Sequence, residues 1–449
     1  MLHKYEQNGL KIVIDVNSGT VHVIDQIIWD MLDYYPGSVE SIIEKLGGKY
    51  KEFSIREAWD EIKELEKQGL LYSEDTYMDR VLKEKRDTHT KALCLNIAHD
   101  CNMRCGYCFA QTGGYHGGRK LMPFEVASKA IDFLLNTSGP RKRLEVDFFG
   151  GEPLMNFDVI KETVRYTRER EKEYGKKTGF TITTNGTLLN EEIAEFINEN
   201  MDNIVLSLDG RKQVNDRMRK LVDGSGTYDS IMPKIKSVAD SRGDKSYYVR
   251  GTFTANNLDF CSDVLHLADE GFREISIEPV VAENEKSYAL REEHVPKIYQ
   301  EYDKLAERYI EYNDKGKGFR YYHFNVDLDG GPCIYKRVSS CGSGVEYFAV
   351  TPDGELYPCH QFVGRREYLM GDVWRGVANK ELQKEFFENT VYHKGKCMKC
   401  WAKFYCSGGC QANAAAFNNN LKEPYEIECK LQRKRIECAI MIRAYESLK

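Results

Sequence analysis

From residue 92 onward the chain alternates short apolar strands with amphipathic helices, and this alternation constrains the fold more than any other feature. The strand segments are ALCLNIA (92–98), RLEVDFF (143–149), GFTITT (179–184), NIVLSL (203–208), YYVRGTFT (247–254) and EISIEPV (274–280). Helical patterns such as PFEVASKAIDFLLN and NFDVIKETVRYTRERE lie between most of them. Repeated βα units build a parallel sheet whose functional loops emerge at the C-terminal ends of its strands. Six units, rather than eight, predict a partial (β/α)6 barrel open on one side, closed by a long helical segment over 291–315.

Residues 1–80 read as a separate unit. LKIVIDVNSGTVHVID gives two short strands around the turn Asn17-Ser18-Gly19. QIIWDMLDYYPG follows as a helix broken at Pro36-Gly37, with Ile27, Ile28, Met31 and Leu32 on one face. SVESIIEKLG and IREAWDEIKELEKQGLL give two more helices, the second ending at Gly69 as a C-cap. The polar stretch SEDTYMDRVLKEKRDTHTK is expected to link this unit to the barrel, with the linker proper at 81–90, the barrel at 91–320 and a third region at 321–449. That last region is rich in glycine, cysteine and turns, with a hairpin signal at TPDGE (351–355).

A net charge of −6 provides no basic field to attract nucleic acid or an anionic bilayer. No apolar run approaches the roughly 18–20 residues of a membrane span. The stretch MLHKYEQNGLKIVIDVNSG lacks the apolar core of a secretory signal, so a cytoplasmic chain is expected. Its fourteen cysteines are unevenly placed: four lie between Cys94 and Cys108, nine between Cys333 and Cys438, and Cys261 stands alone. In a reducing compartment such clusters read as metal ligation rather than disulfides.

HDCNMRCGYCFA places Cys101, Cys105 and Cys108 directly after the first βα strand, where a barrel carries its active site. A zinc site needs four ligands; His99 would be a cramped partner and Cys94 lies within the strand. A 4Fe–4S cluster with one iron open to a non-protein ligand fits better than zinc or a chance cluster of buried thiols. CxxxCxxC with an aromatic, Tyr107, before its last cysteine resembles the signature of the radical S-adenosylmethionine (SAM) superfamily. The resemblance implies that SAM chelates the open iron through its amino and carboxylate groups. One electron from the cluster then cleaves the sulfonium to methionine and a 5′-deoxyadenosyl radical.

Further motifs stand at the expected strand ends. FFGGEP (148–153), with Gly150, Gly151 and Glu152, resembles the motif that receives the SAM amino group, and its glycines are expected to let backbone approach the ligand. TTNGTLL (183–189) supplies Asn185, and SLDG (207–210) is followed by Arg219. The resemblance implies that Ser207 and Arg219 hold the SAM carboxylate and ribose. Arg250, Thr252 and Glu278-Pro279-Val280 are weaker candidates near the adenosine. Turns use the same residue types; specificity comes from four such elements in order, each after a strand.

The later cysteines also keep a pattern. CGSGVEYFAVTPDGELYPC runs from Cys341 to Cys359, CMKCWAKFYCSGGC carries Cys397, Cys400, Cys406 and Cys410, and Cys429 follows. Over 330–435 this resembles the seven-cysteine SPASM domain, which implies two auxiliary 4Fe–4S clusters and three clusters in all. By that resemblance Cys341, Cys359 and Cys410 serve one, and Cys397, Cys400, Cys406 and Cys429 the other. Cys333 occupies a place like that of an eighth cysteine in fully ligated relatives, so full ligation and an iron open to a substrate thiolate both stand. Two structural zinc sites are the alternative. Cys94, Cys261 and Cys438 read as buried structural thiols.

SPASM relatives act mainly on peptides and proteins. In the anaerobic sulfatase maturases the cysteine matching Cys359 is followed by an Asp serving as base; here His360 follows, which counts against formylglycine formation. His360 is expected at the surface or as a supporting hydrogen-bond donor. The N-terminal hairpin and helices, ending LEKQGLLY, resemble the winged-helix recognition element of enzymes that modify ribosomally synthesised peptides, which binds a leader as an added strand. A DNA-binding winged helix is disfavoured by the mixed charge of SVESIIEKLGGKYKEF. The three modules together resemble the sactipeptide thioether synthases, more narrowly the clostridial maturases of "six cysteines in forty-five residues" peptides. The resemblance implies Cys-to-α-carbon thioether formation, with Thr as expected acceptor, in a cysteine-rich precursor peptide held through its leader. It also implies an external one-electron reductant of ferredoxin or flavodoxin type, and no nucleic-acid or membrane partner. Carbon–carbon crosslinking, β- or γ-thioethers, epimerisation and formylglycine-type oxidation are the enzymatic alternatives. A non-catalytic iron–sulfur carrier or DNA-binding sensor is the other.

Overall fold

Ile12 to Asp15 are all buried because their strand is the middle one of three. β1 (Leu2–Gln7), β2 (Leu10–Asp15) and β3 (Val21–Ile24) form an antiparallel sheet in the order β1-β2-β3. The computed structural model describes residues 1–83, 86–328 and 334–449 of the chain. The two expected strands are joined by β1, whose LHKYEQ has little apolar character to betray it. The buried Asp15 carboxylate fixes the following turn by accepting from the Asn17 and Ser18 N–H groups, and ties it to Ser73 N–H at 3.0 Å.

Asp25 caps α1 (Gln26–Met31) and Ser38 caps α2 (Val39–Leu46), each accepting from an N–H in the first turn. α3 (Glu52–Lys67) leads into Gly69 at φ +71°, and α1 stops at Met31, before Pro36. These elements enclose their own core, with Val13, Met31, Ile42, Ile55 and Ile62 at its centre. The stretch expected as linker contains a two-turn helix, α4 (Tyr77–Lys83), with Val81 buried. It is pinned rather than loose: Asp75 accepts from Lys403 and from the Tyr392 hydroxyl, both at 2.8 Å, and Tyr77 packs edge-on against Phe404. Its dense charges hide the short Tyr77/Val81 stripe.

All six expected barrel strands are present. In chain order the region runs β4 (Ala92–His99), β5 (Lys120–Leu121), α5 (Phe124–Thr137), β6 (Arg143–Gly150), α6 (Phe157–Tyr174), β7 (Lys177–Thr184), α7 (Glu191–Asn200) and β8 (Asn203–Ser207). It continues with α8 (Lys212–Met218), α9 (Tyr228–Ser241), β9 (Ser246–Phe253), α10 (Phe260–Asp269), β10 (Glu274–Pro279), α11 (Val295–Asp314) and β11 (Arg320–Tyr321). Alternation along the strands sorts the two faces. Leu95, Phe148, Ile182 and Ile204 lie side by side on one face; Cys94, Asp147, Thr181 and Asn203 lie in register on the other.

The sheet extends beyond the six. β11 pairs parallel with β10, and β12 (Tyr347–Val350), from the cysteine-rich region, pairs parallel with β4. The parallel order is therefore β11-β10-β9-β8-β7-β6-β4-β12, an open α/β partial barrel. β12 and β13 (Glu355–Tyr357) form the hairpin marked by TPDGE, and β14 (Gly371–Asp372) and β15 (Gly376–Val377) continue it.

The remaining helices are α12 (Ile334–Ser339), α13 (Lys380–Glu388), α14 (Gly395–Met398), α15 (Lys403–Cys406), α16 (Gln411–Asn418) and α17 (Glu426–Ser447). α17 packs along α11 and touches all three strands of the N-terminal sheet, joining the three regions. Among the described residues, no helix is long and apolar enough to cross a membrane.

Arg242, 3% exposed, donates to the carbonyls of Ile197, Met201, Asp202 and Ser246, fastening the N-terminal ends of β8 and β9. Arg242→Met strands these acceptors and is expected to cost about 3 kcal/mol in urea unfolding, while iron content after reconstitution stays unchanged.

Candidate functional site

β4 runs directly into the loop bearing Cys101, Cys105 and Cys108, which is held by its own Arg104 and by hydrogen bonds to neighbouring segments. The Arg104 guanidinium donates to the Cys101 and Met103 carbonyls at 2.6 and 2.7 Å. Asn102 donates to Thr187 at 2.8 Å, while the Arg104 and Gly106 N–H groups donate to the Lys220 and Met218 carbonyls. The segments after β7 and α8 thus clamp the loop across the strand ends.

Gly150 and Gly151 serve a tighter purpose than admitting a ligand. A Cβ at Gly150 would lie 2.3 Å from the Ala98 carbonyl oxygen, and one at Gly151 2.0 Å from that of Asp100. Only glycine lets the end of β6 close on the end of β4. Glu152 follows, fully buried and absent from the cavity wall. Its carboxyl accepts from the Leu154 N–H, the Thr184 hydroxyl and the Asn185 N–H. Glu152 thus braces the Asn185 turn. Burial pushes its carboxyl up to about 7, against the pull of those donors.

The expected residues Cys101, Cys105, Tyr107, Cys108, Gly150 and Gly151 line one cavity of about 250 Å³ with Asn185, Ser207 and Arg219. Arg250, Thr252, Glu278, Pro279 and Val280 complete its far side. Asn185 donates to the Asn102 side chain at 2.9 Å and stands 3.8 Å from Cys101 Sγ. The Tyr107 hydroxyl donates to both Asp209 oxygens at 2.9 and 2.7 Å and accepts from Arg219 at 3.2 Å. Asp209, part of SLDG but not singled out in the sequence, also accepts from Thr252 N–H. Burial lifts its carboxyl to about 6, although Arg219 draws it down.

His360 stands in the cavity wall rather than at the surface. Its ring lies 4.8 Å from Phe149 and 5.5 Å from Phe109. Burial depresses it to about 4, so it is neutral near pH 7. The signal for it was its position, directly after Cys359 and against a strand end.

The cavity residues fit an iron–sulfur cluster and its ligand. Arg219 Nε is buried without a hydrogen-bond partner, leaving a donor to be met. Burial raises Cys101 to about 12 and raises Cys105 as well, so ligation must displace thiol protons. Cys101, Cys105 and Cys108 stand around a common space, as a polynuclear cluster held through separate irons requires.

Cys397, Cys400, Cys406 and Cys429 line a second, smaller cavity of about 40 Å³ with Arg433. Cys341, Cys359 and Cys410 lie within electrostatic reach of one another, and burial drives Cys359 well above its ordinary range. Cys333 lies outside the described residues. Cys94, Cys261 and Cys438 are buried, and Cys94 and Cys438 meet Asn96 and Gln7.

Behind the cavity a polar chain reaches α17. Burial opposes ionisation of Glu278, but Arg250 at 2.9 Å outweighs it and holds the carboxyl down at about 2. His323 accepts from Arg435 at 3.0 Å and lies 3.3 Å from Ser276. Burial, then Arg435, depress His323 from 6.5 to about 3. The unfolded chain therefore takes up this proton first, and stability falls as pH drops from about 6.5 toward 3. In His323→Gln that acid limb should be shallower, read from urea midpoints at pH 7 and pH 5.

Residues 95–253 match the model of the Radical SAM superfamily. A cysteine-type anaerobic sulfatase-maturating enzyme of Clostridium novyi is 27% identical over 342 residues, covering 70% of this chain and 86% of that protein. The radical SAM cyclopropyl synthase TigE of Paramaledivibacter caminithermalis is 23% identical over 448 residues, covering 91% and 87%. The solved structure of native anSMEcpe with bound AdoMet and Kp18Cys peptide superposes with a TM-score of 0.66 at 20% identity, covering 80% of this chain and 100% of that one. Residues 95–253 thus match the Radical SAM superfamily model, in a chain whose α/β fold is shared with anSMEcpe.

Proposed function

We propose that the protein is a peptide maturase that forms intramolecular thioethers between cysteine sulfur and the α-carbon of an acceptor, with Thr as the expected acceptor. The substrate is a cysteine-rich, ribosomally made precursor peptide held by its leader. The observation that carries this reading is the docking of the N-terminal unit on the cysteine-rich region. His3 stacks on Trp401 at 3.9 Å, next to Cys400, while Asp75 pairs with Lys403. An edge of the β1-β2-β3 sheet can take up a leader as an added strand, and a core peptide tethered there is kept near the cavities. anSMEcpe with its bound peptide supports a peptide substrate, and His360 in place of an Asp favours thioether formation over formylglycine.

In this reading Cys101, Cys105 and Cys108 hold a 4Fe–4S cluster, and Tyr107, Gly150, Gly151, Asn185, Ser207 and Arg219 surround SAM. Cys341, Cys359 and Cys410 serve one auxiliary cluster, and Cys397, Cys400, Cys406 and Cys429 another. The bound cluster and SAM supply one-electron cleavage and, with it, hydrogen-atom abstraction from the peptide. Arg219 offers its unmet Nε–H to an oxygen or carboxylate of the ligand. Phe109 and Phe149 keep water from the reacting carbon, and the unpartnered Nδ1 of neutral His360 is free to hydrogen-bond the peptide beside them. Closing the sulfur–carbon bond also releases the thiol proton and one further electron, which clusters held by the later cysteines would take up. Proximity of sulfur and carbon does much of the remaining work. A ferredoxin- or flavodoxin-type reductant and a cytoplasmic setting belong to the same reading. The names of the relatives favour, as second reading, another oxidation by the same machinery, including formylglycine formation.

Anaerobic turnover of a leader-bearing precursor peptide with SAM and reductant should give a product lighter by two hydrogen atoms, located by tandem mass spectrometry at a Cys–acceptor pair. Loss of water, or no reaction with any leader-bearing peptide, contradicts the assignment. Replacing Cys101, Cys105 and Cys108 together with Ala should abolish 5′-deoxyadenosine formation while the iron of the other sites remains.

A further inference from the structure

Lys394 is a cation placed out of reach of water. It is 2% exposed, and its Nζ donates to the Gly408 carbonyl at 2.7 Å. Among the described residues no carboxylate lies within ion-pair distance of it, whereas the other buried lysine of this region, Lys403, is paired with Asp75. An ammonium offers three donors, and burying one against a single carbonyl is costly unless nearby negative charge compensates.

The ammonium is held at the bend that carries the cysteines: the Gly408 carbonyl it bonds lies between Cys406 and Cys410 and lines the four-cysteine cavity. Burial lowers the lysine's hold on its proton, while Cys397, Cys406, Glu428 and Cys410 oppose that pull. Cys397 and Cys406 line the four-cysteine cavity, while Cys410 belongs to the other set. Glu428 is already engaged, accepting from Cys410 N–H at 3.1 Å and Asn413 at 2.8 Å. Gly408, between Cys406 and Cys410, has φ +94°, and a Cβ there would stand 3.2 Å from Lys394 Nζ. The bend is shaped to let the ammonium in.

We propose that Lys394 is a positioning charge shared by the two auxiliary sites, raising the potential of the clusters they hold. The proposal rests on the reading that these cysteines ligate 4Fe–4S clusters. A thiolate-held cluster becomes more negative on reduction, and in a low-dielectric interior a fixed cation beside it favours the reduced form. The effect is larger at the site of Cys397 and Cys406, whose cavity is also lined by Gly408, the hydrogen-bond partner of Lys394.

The test uses the full-length protein reconstituted with iron and sulfide, with Cys101, Cys105 and Cys108 replaced by Ala so that only the auxiliary sites give signals. Redox titration followed by electron paramagnetic resonance compares Lys394, Lys394→Met and Lys394→Arg. At fixed potential Lys394→Met should lower the reduced-to-oxidised ratio about tenfold, a shift of about 59 mV to lower potential for one electron. Lys394→Arg should stay near the parent, with iron per chain constant throughout. Equal potentials in Lys394→Met and parent at equal iron content overturn the proposal. Should Lys394→Met fail to fold, Lys394→Gln, which keeps a donor for the Gly408 carbonyl, carries the same comparison. Iron content unchanged by joint replacement of Cys397 and Cys429 with Ala would instead overturn the cluster reading beneath it.

Discussion

The structure turns on the contact between the ends of β4 and β6. The Gly151 N–H donates to the Ala98 carbonyl at 2.7 Å and the Glu152 N–H to the Asp100 carbonyl at 2.8 Å, at a separation no Cβ would allow. The contact fixes where the chain leaves β4, and hence where Cys101 stands. It also places Glu152 beneath the end of β7, where its carboxyl holds the Asn185 turn, which in turn holds Asn102. Tyr115 seals the junction from the side, donating to the Gly150 carbonyl and stacking on His99. One close approach of backbones thus sets the cysteine loop, the glycine turn and the asparagine turn in a common frame.

The parts of the fold that could be read from sequence are those with a period. Most of the barrel strands and the helices α5 and α6 declare themselves by one-sided burial, and β4, buried on both faces, by its continuous apolar run. α17 leaves no such stripe. Ile427, Leu431, Ile436, Ile440, Met441 and Ile442 are all buried because the helix has neighbours on most sides, so the apolar residues run around it. β11 and β12 are too short for any alternation to show and exist because a barrel edge is there to receive them. Within the cavity the cysteines, glycines and Asn185 were legible from their places after strands. Asp209 and His360 were less so, since their roles depend on partners distant in sequence: Tyr107 and Arg219 for one, Phe109 and Phe149 for the other. Glu152 shows the reverse case, a motif residue turned inward because three donors await it there.

The N-terminal unit and the cysteine-rich region share a continuous surface. Tyr5 donates to the Glu437 carbonyl, Gln7 reaches Asp303 and Cys438, and His3 lies flat on Trp401. Such contacts tie a short edge sheet to the helix that carries Cys429 and to the turn that carries Cys400. A shift of β1 is therefore felt within a few side chains of the four-cysteine cavity.

Pairing of β12 with β4 has a consequence for how the molecule is made. Ala92 finds Tyr347 across more than half of the chain, so the Ala92–Leu95 flank of the strand leading to the cysteine loop stays bare until the C-terminal region has been synthesised. Long-range parallel pairing is slow to form, and an exposed strand edge invites association with other chains. The nascent barrel thus passes through a stage with its cysteine loop formed on an unfinished sheet, and assembly becomes final only when the last third of the protein closes that edge.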